Sequence, residues 1–312
     1  MSSFIVMQGE TYQEEKKNGI LWSPQTDRSG MAQHSYKRLE EVKKGDKIFH
    51  YVKGAIVALS VAVEDCKKAK RPYHAESENA EGYLVKAEYR ELETPLHVSD
   101  CIDDLVSLLP VKYSAFQEDG SGNPGYLYPC NEELTLQLLE GISLLNVYIP
   151  DVEQLELAME VVRTTEHHPL IMLIAETVLE TRTKMERREI SFHQRVAPLW
   201  DHQCAVCGID QEVLLKASPA KPWKDCTGLE RMDPRNGILL CRNHDALYTN
   251  GLITVNANGK LQVAAKLAEQ EESVYLLPKK LKIVVDPGTK PYFKWHKKHV
   301  FIDKRKTVAP LL

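Results

Sequence analysis

Cys204, Cys207, Cys241 and His244 are the residues of this chain best suited to chemistry: they run C-x2-C, then 33 residues, then C-x2-H. Three soft thiolates and an imidazole at that spacing suit tetrahedral Zn2+. A single C-x2-C pair fits a redox couple or two buried cysteines equally well, whereas a second pair bearing a histidine points to a closed metal site. The zinc expected here is structural rather than catalytic.

Charge along the chain is uneven. The formal net charge of −4 speaks against binding of polyanions by the whole surface. Residues 277–312, however, carry ten Lys/Arg against two Asp/Glu, while residues 131–190 carry twelve acids against five bases. A basic end that follows a zinc cluster suits a phosphate backbone; a solvated lysine tail is the plainer reading. Seven cysteines are too few and too odd in number for a disulfide framework, and the opening MSSFIVMQGETYQEEKK lacks the pattern of a signal peptide. The longest apolar stretch, residues 170–175, is far short of the ~20 residues that span a bilayer. A reducing cytoplasm and no membrane contact are expected.

The elements that must position these residues divide by pattern. A chain of 312 residues has room for two domains at about 150 residues each. Residues 4–7, 47–51, 55–63 and 82–89 are β-rich runs between polar turns, with a short helix at 35–43. The run QEDGSGNPG at 117–125 is a surface loop by its turn formers. Helical periodicity follows: Asp151 is placed as an N-cap, Gln154 completes a capping box, and Val152, Leu155, Met159 and Val162 recur at helical spacing. A second helix over 168–188 begins apolar all round and ends strongly charged, which predicts packing against two neighbours and then solvent. The expected organisation is α+β: a β-rich domain at 1–145, a helical connector at 146–190 that either joins two subunits or packs within its own chain, and a third region at 191–312.

That third region presents, in order, a helix with Trp200, CAVCG, LLKASPAKPW, LERMDPRNGILLC, RNHDALYTNGLITV and PYFKWHKKHVF. It resembles the zinc-bearing HNH endonucleases over about the last 110 residues. The resemblance implies a ββα-metal fold, in which a β-hairpin and the following helix hold one divalent cation. In that frame Asp245 presents a hard oxygen to Mg2+ or Mn2+, though a charge at a helix N-terminus explains it too. Asn236 matches the motif's middle asparagine, whose amide fixes the loop and helps to orient the general base; Asn-Gly is also a hairpin signal. Lys221 is placed to touch a phosphate and Trp223 to fill core.

Phosphodiester hydrolysis needs a base for water, a cation for the charge on phosphate and neutralisation of the departing oxygen. Relatives read A-S-H-x-K-P-W, with the first histidine of HNH at the place of Pro219, which has no titratable group. Ser218 beside it is no substitute, because an alcohol does not take water's proton near neutrality. Three readings stay open: an inactivated copy of a nuclease, a replacement base among His193, His202, His296 and His299, or a binding-only protein. Proline at a strand end leaves the fold intact. His296 and His299 match the family's terminal W-H-x-x-H-V-F signature, and are read as a packing anchor in preference to a metal pair.

The first half contains GILWSP at 19–24 and GDKIFHY at 45–51, and resembles an EVE domain, a PUA-like β-barrel related to the YTH readers. Such domains accept one modified base, flipped out of the helix, in an aromatic pocket, and stacking must recover an extraction cost of a few kcal/mol. By motif position the pocket residues are Trp22, Ser23, Phe49, His50 and Tyr51. Tyr126 and Tyr128 read as structural, and Lys16, Lys17, Arg28, Lys37 and Arg38 are candidates to hold flanking phosphates. Together the halves resemble the EVE-HNH modification-dependent (type IV) restriction endonucleases, which defend bacteria against phage DNA. That implies double-stranded DNA bearing 5-hydroxymethylcytosine or 5-methylcytosine as partner, with a homodimer to cut both strands. A noncatalytic modified-DNA-binding protein and a reader of modified RNA are the competing expectations.

Overall fold

The computed structural model describes residues 2–26, 34–72, 81–146, 169–256, 258–268, 277–278, 281 and 285–302. Two compact units divide the chain, Met1–Met185 and Glu186–Leu312. The expected capping box and apolar stripe at 151–162, and Arg28, lie outside the described residues.

The first unit is a curled half-barrel sheet. Its strands are β1 (Ser3–Met7), β2 (Ile20–Pro24), β3 (Lys47–Val52), β4 (Ala55–Ala62), β5 (Lys67–Lys70), β6 (Glu81–His97) and β7 (Leu127–Cys130). They pair in the order β2-β6-β4-β3-β1-β7, with β5 beside β6. The two ends of that order are drawn together: Leu21 of β2 and Leu127 of β7 share one core cluster. Across the same gap the Trp22 backbone N–H donates to the Tyr126 hydroxyl at 3.0 Å. Alternation along each strand supplies two buried faces. Phe4, Val6 and Ile48 face the inner core, while Ile5, Phe49 and Ile56 pack outward with Leu138 and Ile142 of helix α2 (Glu132–Asn146), helix α1 (Tyr12–Asn18) lying earlier, between β1 and β2. Burial on both faces is why these strands read as nearly unbroken apolar runs.

Strand β6 is long because it bends. Its register against β4 jumps from Ile56↔Leu96 to Ala58↔Glu91, leaving a bulge that holds Pro95, where a missing N–H costs no ladder bond. The Asn146 side chain satisfies that bulge, accepting from Thr94 N–H at 2.9 Å and donating to Thr94 O at 3.0 Å. The expected short helix is found as a turn of α-helix at His34–Lys37 running into a 3-10 turn at Arg38–Glu41.

Helix α3 (Pro169–Val196) begins in the first unit and ends in the second. In the second unit, β8 (Leu215–Pro219) and β9 (Gly237–Cys241) form an antiparallel pair with Pro219 opposite Gly237. Helix α4 (Arg242–Thr249) follows β9 directly. A second hairpin joins β10 (Ile253–Val255) to β11 (Leu261–Val263), and α5 (Lys290–His299) packs by Phe293 into the core shared by Phe192, Val196, Trp200 and Ile238. Gly237 is required by close approach: a Cβ there would meet Val196 Cγ2 at 2.3 Å.

Candidate nuclease centre and zinc cluster

The four zinc-type ligands converge. Their ligand atoms lie within 4.8 Å of one another: Cys207 Sγ is 3.9 Å from Cys241 Sγ, and His244 Nδ1 is 3.5 Å from Cys204 Sγ and 3.2 Å from Cys241 Sγ. Zn–S bonds of about 2.3 Å at tetrahedral angles put thiolates roughly 3.8 Å apart, so the donor set and its spacing fit Zn2+. Local backbone builds the site. Cys204–Cys207 closes as a turn on Gly208, whose N–H donates to Cys204 O at 2.8 Å, with Gly208 at φ 78°. Cys241 ends β9 and His244 lies in the first turn of α4. Burial pushes the Cys207 thiol up to about 12. Burial acts the same way on Cys204, but the His244 hydrogen bond and nearby backbone N–H groups outweigh it and bring that thiol down to about 6.

Asp245, the next residue of α4, turns to the strand. Its Oδ1 accepts from Ser218 Oγ at 2.5 Å, and its Oδ2 lies 3.3 Å from Lys216 Nζ. Lys216 and Ser218 are two apart on β8 and so share a face. Asn236 holds the turn beyond Pro219: its Oδ1 accepts from Lys221 N–H at 2.8 Å, its Nδ2 donates to Lys221 O at 3.0 Å, and its own carbonyl accepts from Ala220 N–H at 2.7 Å. Pro219, Asn236 and Asp245 are therefore gathered on one hairpin-and-helix frame. Residues 204–256 match the HNH endonuclease family. An HNH domain implies nucleic-acid binding and phosphodiester cleavage. No curated protein matches the chain. A solved structure of a Pseudomonas putida protein is similar at 11% identity and TM-score 0.33, covering 45% of this chain and 99% of that one. One from Agrobacterium tumefaciens is similar at 13% and 0.31, covering 48% and 97%. The YTH domain of Zygosaccharomyces rouxii MRB1 protein in complex with N6-methyladenosine RNA is similar at 13% and 0.29, covering 48% and 91%. Likeness at this level assigns neither fold nor ligand.

Several expected roles are redistributed within the HNH unit. Lys221 is not an open phosphate contact: its ammonium meets both oxygens of Glu230 at 2.8 Å, and Glu230 also completes a capping box with Thr227. Of the alternative bases, His296 is fully committed, with Nδ1 2.9 Å from Thr254 Oγ1 and Nε2 3.1 Å from Tyr248 O. It stacks on Tyr248 at 3.8 Å, and burial lowers its pKa to about 4. His193 is half-buried, while His202 and His299 are exposed. Sequence reasoning missed Lys216 and the Ser218–Asp245 bond. The signal was available in the i, i+2 spacing of two polar residues on an otherwise apolar strand.

The five candidate pocket residues of the first unit do not share one surface. Trp22 is 5% exposed among Ile20 and Leu84, its indole N–H donates to Ala69 O at 3.3 Å, and the Arg71 guanidinium lies 5.2 Å from its ring. Ser23 Oγ donates to Tyr36 O at 3.0 Å. Phe49 and Tyr51 pack in the outer core, whereas His50, between them on β3, points to the opposite face. There a buried polar chain runs through the half-barrel. Ser60 Oγ is 2.7 Å from His50 Nε2, His50 Nδ1 is 2.6 Å from Gln8 Oε1, and Glu15 Oε2 accepts from Gln8 Nε2 and the Tyr126 hydroxyl at 2.5 Å each. An acceptor facing Nδ1 fixes the proton there, so Nε2 takes the serine hydroxyl. Burial lowers the His50 pKa to about 3.

Of the expected phosphate contacts, Arg38 is buried and donates from Nη1 to Leu127 O at 3.3 Å, so it fastens β7. Lys16 pairs with Glu91 at 2.7 Å. Lys17 and Lys37 are exposed. Among the described residues no helix is long and apolar enough to cross a membrane.

Proposed function

We propose that this chain is a metal-dependent HNH DNA endonuclease whose first half reads a modified cytosine in duplex DNA, as a bacterial defence against phage. Residues 1–145 act as the reader, 146–190 as the connector and dimer interface, and 191–312 as the nuclease. The observation that carries the reading is the placement of Asp245 against Ser218 beside position 219, within the HNH match. The Asp245 carboxylate and Ser218 hydroxyl are hard oxygen donors with no thiol among them. They fit Mg2+ or Mn2+, which typically takes one or two carboxylates and completes its sphere with phosphate oxygens and water. When bound, the ion supplies stabilisation of charge on the phosphate. The protein's own part is positional: Asn236 fixes the 219–221 turn, and the zinc cluster locks α4 to the end of β9. Pro219 brings no base, so this form grips its DNA and cuts slowly.

The reader half rests on the GILWSP and GDKIFHY motifs. Trp22 is its stacking residue in this reading. The specificity for 5-hydroxymethylcytosine or 5-methylcytosine and the homodimer come from the same resemblance. A binding-only role is the second reading, and the loss of the base at Pro219 together with Lys216 on Asp245 favours it.

The test is a binding and digestion panel with cytosine, 5-methylcytosine, 5-hydroxymethylcytosine and glucosylated duplexes in Mg2+ or Mn2+, run for the chain and for Pro219→His. A restored general base is worth about 10²–10⁴-fold, so P219H should cleave at least 100-fold faster on the modified duplex. Equal vigorous cutting by both forms places the base elsewhere; no cutting by either, with modified-DNA binding intact, establishes the binding-only reading. Stronger competition by modified RNA than by modified DNA makes the chain an RNA reader.

A further inference from the structure

Asp245 already has a cation. Lys216 Nζ lies 3.3 Å from Oδ2, while Oδ1 is taken by the Ser218 hydroxyl at 2.5 Å. The carboxylate is nearly enclosed, at 11% side-chain exposure, whereas the lysine is 41% exposed and reaches in from the solvent side. A divalent ion bound at about 2.1 Å from Oδ2 would sit within a few ångströms of the ammonium, and like charges at that range repel. The two cations compete for Oδ2. Lysine is a flexible point charge on a four-carbon stem, so leaving Asp245 costs it one partly exposed ion pair and nothing in the core. Its neighbour on the turn, Lys221, is tied to Glu230 through both carboxylate oxygens, so of these two ammonium groups Lys216 is the more readily released.

We propose that Lys216 is a transferable counter-ion: it neutralises Asp245 in the DNA-free protein, is displaced when the divalent ion binds, and then pairs with a phosphate oxygen of the DNA. This deepens the nuclease reading and rests on it. Lys216 is thereby a phosphate-positioning residue that also sets the threshold for metal entry.

The test uses the zinc-loaded full chain. Mn2+ binding is followed by electron paramagnetic resonance for wild type, Lys216→Met, Lys216→Arg and Asp245→Asn, and duplex affinity is followed against salt concentration. Methionine keeps the stem and removes the charge. A partly exposed pair contributes about 0.2–1 kcal/mol, so K216M should bind Mn2+ roughly 1.4- to 5-fold more tightly, with K216R close to wild type. In the presence of Mn2+, K216M should lower the slope of log affinity against log salt by about one, the signature of one lost phosphate contact. Unchanged Mn2+ affinity in K216M, or an unchanged salt slope, overturns the proposal. If D245N binds Mn2+ as wild type does, the ion lies elsewhere and the nuclease reading of Asp245 falls with it, an outcome distinct from failure at Lys216 alone.

Discussion

Acid should undo the first unit through His50. The ring is fully buried, its Nδ1 proton is held by Gln8 and its Nε2 lone pair by Ser60, so the imidazolium has no room to be solvated. Burial holds the folded-state pKa at about 3, against 6.5 for the free side chain. The unfolded chain therefore takes up the proton first. The histidine's contribution to stability is complete above pH 6.5 and is lost as pH falls toward 3, with a limiting slope of about 1.4 kcal/mol per pH unit. At pH 5 the loss is 1.5 units of that slope, about 2 kcal/mol. The assay is native-state hydrogen exchange on peptides from β3 and β4 at pH 7.5, 6.5 and 5, corrected for intrinsic exchange, for wild type and His50→Gln. Glutamine keeps a polar group in the chain and removes the titration. Surface carboxylates remote from position 50 are common to both proteins and cancel in the difference. The glutamine variant should start less stable and lose about 2 kcal/mol less between pH 7.5 and 5. Parallel losses in the two proteins would refute the reasoning.

Zinc removal is expected to unfold the second unit alone: chelation, or Cys241→Ser, should abolish exchange protection in β8, β9 and α4 while β1 and β3 keep theirs. Gly237→Ala forces a Cβ onto Val196 and should cost about 1–3 kcal/mol by overpacking, read as a lower denaturant midpoint for the second unit; an unchanged midpoint means that α3 moves away freely. Asn236→Ala removes the clamp on Lys221 and takes the partner from its part-buried N–H, about 1–3 kcal/mol at most, while Lys221 O keeps the Cys226 thiol; in a P219H background it should slow cleavage more than it weakens DNA binding. Trp22→Ala should erase discrimination between modified and unmodified duplexes while leaving the salt-dependent affinity for unmodified DNA in place, measured by fluorescence anisotropy.

The sequence by itself determined the features that depend on residue type and short spacing. Thiolates and an imidazole can be recognised as ligands for a structural metal such as zinc without knowing the path of the 33 residues between Cys207 and Cys241, because the signal lies in soft donors at two short spacings. Strands β1, β3, β4 and the first part of β6 were legible from their apolar runs, whereas β5, four residues of which three are lysine, has no such run; the missing base at 219 was legible from a single residue. Tertiary structure decided what pairs with what. A one-residue step along β3 sends His50 to the half-barrel interior and Phe49 and Tyr51 to the outer core, so adjacency in the chain was no guide to a shared pocket. Arg38 and Lys221 read as free cations in sequence, since their partners, Leu127 O and Glu230, are fixed by packing. The same holds for Lys216: its meeting with Asp245 spans a strand, a long loop and a helix start, and charge complementarity at that separation exists only once β8 and α4 are in contact.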